Sequence, residues 1–585
     1  MVRLTVDQTS RTHLAIPRKA LQPRTSSMPA GQILRRSLLT GAVLCLLCGA
    51  SFPQARNAED AWTPEAAGYV GNEACARCHQ DIYQSYLKSA MAQASGPAAQ
   101  NLVEGGFTHK QSGVTYRIYS DTGKAWLSFN RPGDPMVHGK RELLYYIGQG
   151  RRGRTYLFSV DGFVFETPVN WYADHRVWDM PPAYTETREI PMNLPAVMSC
   201  LECHGSGIRP PIAGTENRYR SPTFASPGVS CERCHGPGEA HAKGGPIVNP
   251  AKLPAKLRDQ VCMQCHLEGN AAIKQPGRHL YEYKPGEDLF DFVRYFVLLR
   301  SEPGELRAAS QFEALAESMC KRKSGDAMSC SSCHDPHRVA PAEDHVTFYR
   351  GKCIACHGAS FATKHHARQP DCTACHMPSA PSSDIAHTEV TDHRIPRRPQ
   401  SQQLELLPTT TAPPELVAFP ASEQRENDLR DLALATQAMA GSSGPAEHHA
   451  GQLLREALLR SRSDPALLSS LAYIEQQRGN DSQARELYED ALKYDPNSLD
   501  AATNLGVLDA KEGHVEKAVK LWQSAFERAP GRSEIGMNLA RTLCAAARYD
   551  EARDDVMRVL QFNPDLGPGK QLLKALNRTP PRCGR

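Results

Sequence analysis

Two unlike architectures in one chain are predicted for this 585-residue sequence. A region of short helices and irregular chain with little apolar core of its own comes first, and an α-solenoid of paired helices comes second. Three observations predict them. The pattern Cys-x-x-Cys-His occurs seven times, a run of aromatic–polar alternation interrupts the first region, and a 34-residue repeat runs through the last.

Residues 1–58 read as a signal peptide region. The stretch "RRSLLTGAVLCLLCGASFPQARNA" (35–58) joins a basic flank to small residues suited to cleavage after Ala50, Ala55 or Ala58. Its apolar part, about 13 residues, is of signal-peptide length and short for a membrane span. Membrane contact is therefore expected only through an uncleaved signal anchor. The long flank points to Met28 as the true start, and the leader implies a periplasmic or extracytoplasmic location. The formal net charge of +4 owes +7 to this segment, with eight Arg/Lys and one Asp, so the remainder carries −3. A chain of that sign has no electrostatic case for binding nucleic acid.

Fourteen of the 19 cysteines belong to the seven motifs. Cys75 and Cys78 precede His79, Cys200 and Cys203 precede His204, Cys231 and Cys234 precede His235, and Cys262 and Cys265 precede His266. Cys330 and Cys333 then precede His334, Cys353 and Cys356 precede His357, and Cys372 and Cys375 precede His376. Tetrahedral zinc takes Cys-x-x-Cys pairs in twos and has no use for a histidine after each. Cys-x-x-Cys-His is instead the attachment signature of c-type haem: two thiols bond to the porphyrin's vinyl groups, and the imidazole binds iron. Seven covalently bound haem c groups are expected, in a multihaem cytochrome c domain over residues 59–398, where stacked porphyrins replace an ordinary core. Of the cysteines left over, Cys45 and Cys48 lie in the leader. Cys320, Cys544 and Cys583 allow one disulfide and a free thiol, or none.

A small antiparallel β insertion is expected near residues 107–172. Segments such as "TYRIYS", "AWLSFN" and "FVFETP" alternate there, with turn signals at Asp121-Thr122-Gly123 and Asp161-Gly162. "RRGR" at 151–154 reads as a solvated loop, with pairing to haem propionates as the alternative. Residues 399–422 form a Pro/Gln/Thr-rich linker. Beyond it, over 423–579, Leu471, Leu505 and Leu539, Ala484, Ala518 and Ala552, and Pro496, Pro530 and Pro564 recur at the tetratricopeptide (TPR) period, and "KQLLKAL" reads as a capping helix. Such an array is expected to take a protein or peptide on its surface.

The sixth ligand of each iron decides whether it carries electrons or binds substrate. Eleven histidines of the cytochrome region are neither proximal nor in the repeats. His241 and His337 each come after a motif and a tight turn, in "CHGPGEAH" and "CHDPH". His387 and His393 lie beyond the last motif, and His109 approaches the β insertion. These five are the candidate distal ligands, each serving its own motif's iron or a neighbour's.

"YVGNEACARCHQDIYQSY" at 69–86, with "CERCHGPGEAH", "IVNPAKL", "VCMQCHLEG", "CSSCHDPH", "CHMP" and "TDHRI", resembles multihaem cytochromes related to the tetrahaem electron acceptor of hydroxylamine oxidoreductase. The resemblance covers most of residues 69–398, in a subgroup often fused to TPR repeats. It implies stacked, largely histidine-ligated haems outside the cytoplasmic membrane, and it implies no substrate. The lysine-for-histidine motif of pentahaem nitrite reductase is absent. The function expected is electron carriage along a haem chain to or from a redox protein partner. The alternatives are a reductase or oxidase of a small nitrogen or sulfur oxyanion at one five-coordinate haem, and a TPR scaffold within a respiratory complex.

Overall fold

A computed structural model describes residues 63–583, apart from 66, 182–183, 299–305, 366–368, 386, 398–414, 422–424 and 441–443. The leader, His366 and most of the segment read as linker lie outside the described residues. The largest sheet is antiparallel and nine-stranded. Its strands are β1 (Ser95–Pro97), β2 (Gly105–His109), β3 (Val114–Asp121), β4 (Lys124–Arg131), β5 (Asp134–Ile147), β6 (Gly153–Val160), β7 (Phe163–Glu166), β8 (Asn170–Tyr172) and β9 (Val177–Asp179). It extends beyond 107–172 at both ends because β1 and β9 are three-residue strands, too short to display a period.

Alternation decides which side chains go inward. On β3 and β4, Val114, Tyr116, Ile118, Ala125, Leu127 and Phe129 are buried while their neighbours face out. Thr122-Gly123 and Asp161-Gly162 each hold positive φ at both central residues, the type I′ geometry whose twist matches a tight hairpin. Arg154 packs its guanidinium over Tyr146 and donates to the Gly148, Gln149 and Asn101 carbonyls. It is a structural residue of the loop that carries Arg151 and Arg152.

In the segment read as linker, Leu416–Phe419 is a strand. It pairs with Val293–Leu298, which in turn pairs with Ala271–Lys274. Its apolar run gives it a buried edge to occupy, which overrides the turn-rich composition before it.

The C-terminal array consists of α1 (Asp428–Met439), α2 (Pro445–Arg460), α3 (Pro465–Gln477), α4 (Asp481–Tyr494), α5 (Leu499–Lys511), α6 (Val515–Arg528), α7 (Ser533–Ala545), α8 (Tyr549–Phe562) and α9 (Gly567–Leu576). The repeat positions Ala484, Ala518 and Ala552 have no exposure at all, because the helices of a pair meet there. Gly506 shows the same constraint: a Cβ on it would lie 2.6 Å from the indole of Trp522, which donates to the Thr503 carbonyl at 3.0 Å. Cys544 and Cys583 form a disulfide that ties the C-terminal tail to α7, while Cys320 is free.

The array is not a separate module hanging on its linker. Phe562 of α8 packs edge-on against Phe163 and Phe165, inside the core of the nine-stranded sheet. Beside it the carboxylate of Asp565, 2% exposed, accepts from Arg131 at 2.8 and 2.5 Å, from Lys570 at 2.8 Å and from the Ile190 amide at 3.0 Å. Removing one member of such a hub leaves the others as unpaired charge. Asp565→Ala is therefore expected to destabilise the sheet–array junction by about 2–4 kcal/mol, somewhat less than a fully buried pair because Arg131 and Lys570 keep some water. Urea unfolding of the full chain, monitored by far-UV circular dichroism, measures it.

Candidate haem centres

The seven motifs begin or end short helices, and the turn that leaves each helix determines where the next histidine goes. Glu232–His235 stops at Gly236, whose φ of 77° lets the chain turn into the helix Glu239–Ala242. The buried Glu232 carboxylate fixes this corner. It accepts from the Val70, Gly71 and Gly238 amides at 2.8, 2.9 and 2.8 Å, joining the third motif to the first. The result is a crossed pairing. His241 lies 6.3 Å from His79, ring centre to ring centre with 9° between the planes, and not beside its near neighbour in sequence, His235. His235 is partnered by His337 at 5.9 Å and 13°. His334 is partnered by His393 at 6.2 Å, and His376 by His365 at 6.0 Å.

These separations suit an atom between the rings. Two imidazoles bound to one metal through Nε2 have centres about 6 Å apart, from two metal–nitrogen bonds of ~2 Å plus ~1 Å from each nitrogen to its ring centre. The Nδ1 atoms are engaged elsewhere, as ligand tautomers require. His235 pairs with the Val248 carbonyl at 2.8 Å, His376 with the Pro396 carbonyl at 2.8 Å, His241 with the Gly245 carbonyl at 2.9 Å and His393 with the Thr391 carbonyl at 3.0 Å. His266 Nδ1 meets Gln311 Oε1 at 3.0 Å. Desolvation inside the protein favours the neutral imidazole, the form a metal binds, at the half-buried His204, which is pushed down to about 3.

Two of the five candidate distal ligands are placed otherwise. His109 is buried with both nitrogens used, Nδ1 by Ser112 at 2.9 Å and Nε2 by the Thr185 carbonyl at 3.0 Å. It braces the end of β2 and has no lone pair to offer iron. His387 gives its Nε2 to Asp179 at 2.9 Å and meets the rings of Tyr172 and His175. It fastens the loop after the last motif to β9. His365 takes a place that reasoning from turns assigned to neither; the signal was its position in "KHHARQPDCTACH", eleven residues before His376. No imidazole ring stacks against His204, His266 or His357 among the described residues, although His266 is near enough to His334 and His393 to act on them electrostatically. His204 is half-buried, and its Nδ1 atom is out of solvent with no hydrogen-bond partner.

The thiols place the motifs next to one another. The thiols of Cys75 and Cys231, of Cys203 and Cys265, of Cys262 and Cys330, and of Cys353 and Cys372 stand near enough to perturb one another's ionisation. The first of these pairings lowers the Cys75 thiol to about 7, while burial raises Cys200 to about 11. A chamber of about 2660 Å³ opens between the second, fourth and fifth motifs, lined by Cys200, Cys203 and His204, by Cys262, Cys265 and His266, and by Cys330, Cys333 and His334. That is several times the ~300–1,000 Å³ of an ordinary ligand pocket. Paired thiols, imidazoles anchored through Nδ1 and a chamber of this size together fit haem c.

The family described as cytochrome c554 and c-prime matches residues 183–236, which hold the second and third motifs. "Multiheme cytochrome MtrA" of Shewanella baltica (strain OS185) is 26% identical over 178 residues, 27% of this chain and 52% of that protein. "Superkiller protein 3" of Saccharomyces cerevisiae (strain ATCC 204508 / S288c) is 29% identical over 106 residues, 18% of this chain and 7% of that protein. The chain thus spans about half the length of the first relative and a small part of the second. Among solved structures, MamA of Desulfovibrio magneticus RS-1 aligns over 26% of this chain and 81% of its own, at 16% identity and a TM-score of 0.23. PilF of Pseudomonas aeruginosa aligns over 26% and 67%, at 22% identity and a TM-score of 0.24. The sequence matches, with the motifs and paired helices, support a multihaem c-type cytochrome region joined to a TPR-like helical region.

The last two motifs sit on a lobe without a protein core. Neither His345–His357 nor Cys372–His376 buries a single side chain. Serine at both Cys372 and Cys375 is accordingly expected to remove one haem from the intact mass and to strip amide-exchange protection from residues 345–376. The sheet and the array, with cores of their own, should keep theirs.

Proposed function

We propose that the chain is an exported seven-haem c-type cytochrome that carries electrons along its haems, with the repeat array docking a protein partner. The observation that carries this reading is the set of four crossed imidazole pairs, each about as far apart as one intervening iron requires. When bound, haem iron supplies reversible one-electron exchange. The chain's own residues supply the rest. Carbonyls on Nδ1 fix tautomer and ring orientation at His235, His241, His376 and His393, so the donor atoms move little as charge changes. Shared thiol contacts run from the first motif to the third, from the second through the fourth to the fifth, and from the sixth to the seventh, a succession suited to conduction. A disulfide at Cys544–Cys583 suits an oxidising compartment. The partner is a redox protein, and the outward helices α4 and α8 present Tyr494 and Met557 to it, each nearly half exposed.

One observation favours the second reading, a reductase or oxidase of a small nitrogen or sulfur oxyanion. His204 is half-buried, has no imidazole ring stacked against it among the described residues, and faces the chamber. Electron paramagnetic resonance of the oxidised holoprotein separates the two. Largely low-spin signals, unchanged by nitrite, hydroxylamine or sulfite, are expected for the carrier. A substantial high-spin signal that shifts with one of these, together with turnover, would establish the enzyme instead.

His337→Met tests the crossed pairing itself. Methionine in place of an axial histidine raises the potential, so one of the seven reduction steps should move to higher potential, and the low-spin signal of one haem should change. A titration identical to the wild type would remove His337 from the ligand set.

A further inference from the structure

The concave groove of a TPR array ordinarily takes an external peptide or protein. Here that groove is turned inward. The first helices of the pairs present a polar face to the chamber, through Ser470, Tyr473 and Gln477 of α3, Asp500 and Asn504 of α5, and Glu534 of α7. Of the second helices, α2 contributes Glu447 alone, and α4, α6 and α8 contribute no residue. The array is held in that attitude at both ends. At its start, Asp428 pairs with Arg294 at 3.0 Å, Asp431 accepts from Gln275 at 2.6 Å, and Arg430 donates to the Lys274 carbonyl at 3.2 Å. Near its finish stands the Asp565 hub, and between them Arg532 pairs with Glu216 at 2.8 Å and Asn193 donates to the Gly531 carbonyl at 2.9 Å.

We propose that the inner face of the array is a wall of the haem chamber, and that its occupant is this chain's own haem at the motifs 200–204, 262–266 and 330–334. This rests on the haem reading of the proposed function. Three arguments favour that occupant over a partner's peptide. The three motifs open into the same cavity as the inner face. An array fastened at both ends and along its middle cannot swing away to admit a folded chain. Its hydroxyl and amide groups, on Ser470, Tyr473, Gln477 and Asn504, can donate to the carboxylate-bearing edge of a macrocycle, beside Arg532 and the carboxylates of Glu447, Asp500 and Glu534.

A wall this close must be felt at the iron. A fixed negative charge stabilises the ferric form, and the low dielectric of a chamber transmits it, whereas solvent screens a charge on the outer face. The test uses the full-length holoprotein with Ser470→Asp and Gln477→Glu on the inner face, and Gln483→Glu on the exposed face of α4 as control. Haem content is read by intact mass, and each reduction step by potentiometric titration with optical detection. With seven haems retained, at least one step is expected to shift to lower potential in each inner-face variant and in neither the control nor the wild type. A full haem load with unmoved potentials in both would overturn the wall and leave the functional reading standing. Wild-type protein matured without haem at these motifs would overturn both. Gln477 lies at the exposed end of α3, so its variant keeps the test open if Ser470→Asp does not fold.

Discussion

Apolar side chains run out around the last three motifs, and much of the structure there stems from that shortage. Between residues 319 and 384 the described chain buries no hydrophobic side chain. Helices of four to thirteen residues cannot hold themselves together in water, so a large apolar body must be provided from outside the polypeptide. The motifs answer this requirement in covalent form. On the proposed reading, each would attach such a body at two points and add an imidazole to orient it. The sheet and the array, which own complete cores, need no such help and act as the fixed frame around the parts that do.

The sequence announces the features that have a short period and hides those that depend on distance. Seven Cys-x-x-Cys-His motifs, the alternation from Val114 to Phe129 and the alanines at 484, 518 and 552 are local patterns, and each marks its element without reference to the rest of the chain. The partner of a given imidazole is not local. His241 stands six residues from His235 yet pairs with His79, because Glu232 draws the first motif against the third. His109 and His387 look as free as His241 when only the residue order is known. Only the folded chain shows Ser112 and Thr185 on one and Asp179 on the other. His365 is the converse case, a ligand candidate with no turn to advertise it.

The array's orientation is likewise invisible in the sequence. A TPR period specifies helix pairs and a concave side, and it says nothing of what that side meets. The inward turn is set by contacts between residues more than a hundred positions apart: Phe562 with Phe165, Asp565 with Arg131, Asp428 with Arg294. Leu416–Phe419 contributes by turning the end of a flexible-looking segment into an edge strand, which delivers α1 at a fixed place above Ala271–Lys274. The strand Leu416–Phe419 and the helices together behave as a strap across the N-terminal half.

The disulfide between Cys544 and Cys583 sets a problem of biogenesis. On the proposed seven-haem reading, fourteen thiols of this chain must remain reduced until each meets a vinyl group, since a Cys-x-x-Cys pair closed on itself cannot form thioethers. Two thiols must do the opposite in the same compartment. The fold separates these populations: Cys544 is buried within α7, and its partner comes from the tail that packs against it, far along the chain from every motif. Oxidation can therefore wait for α7 and the tail to pack together on the apolar cluster around Cys544, apart from the motif thiols. Quality control of the two halves would then run on separate clocks, one kept by a thiol oxidant and the other by haem supply.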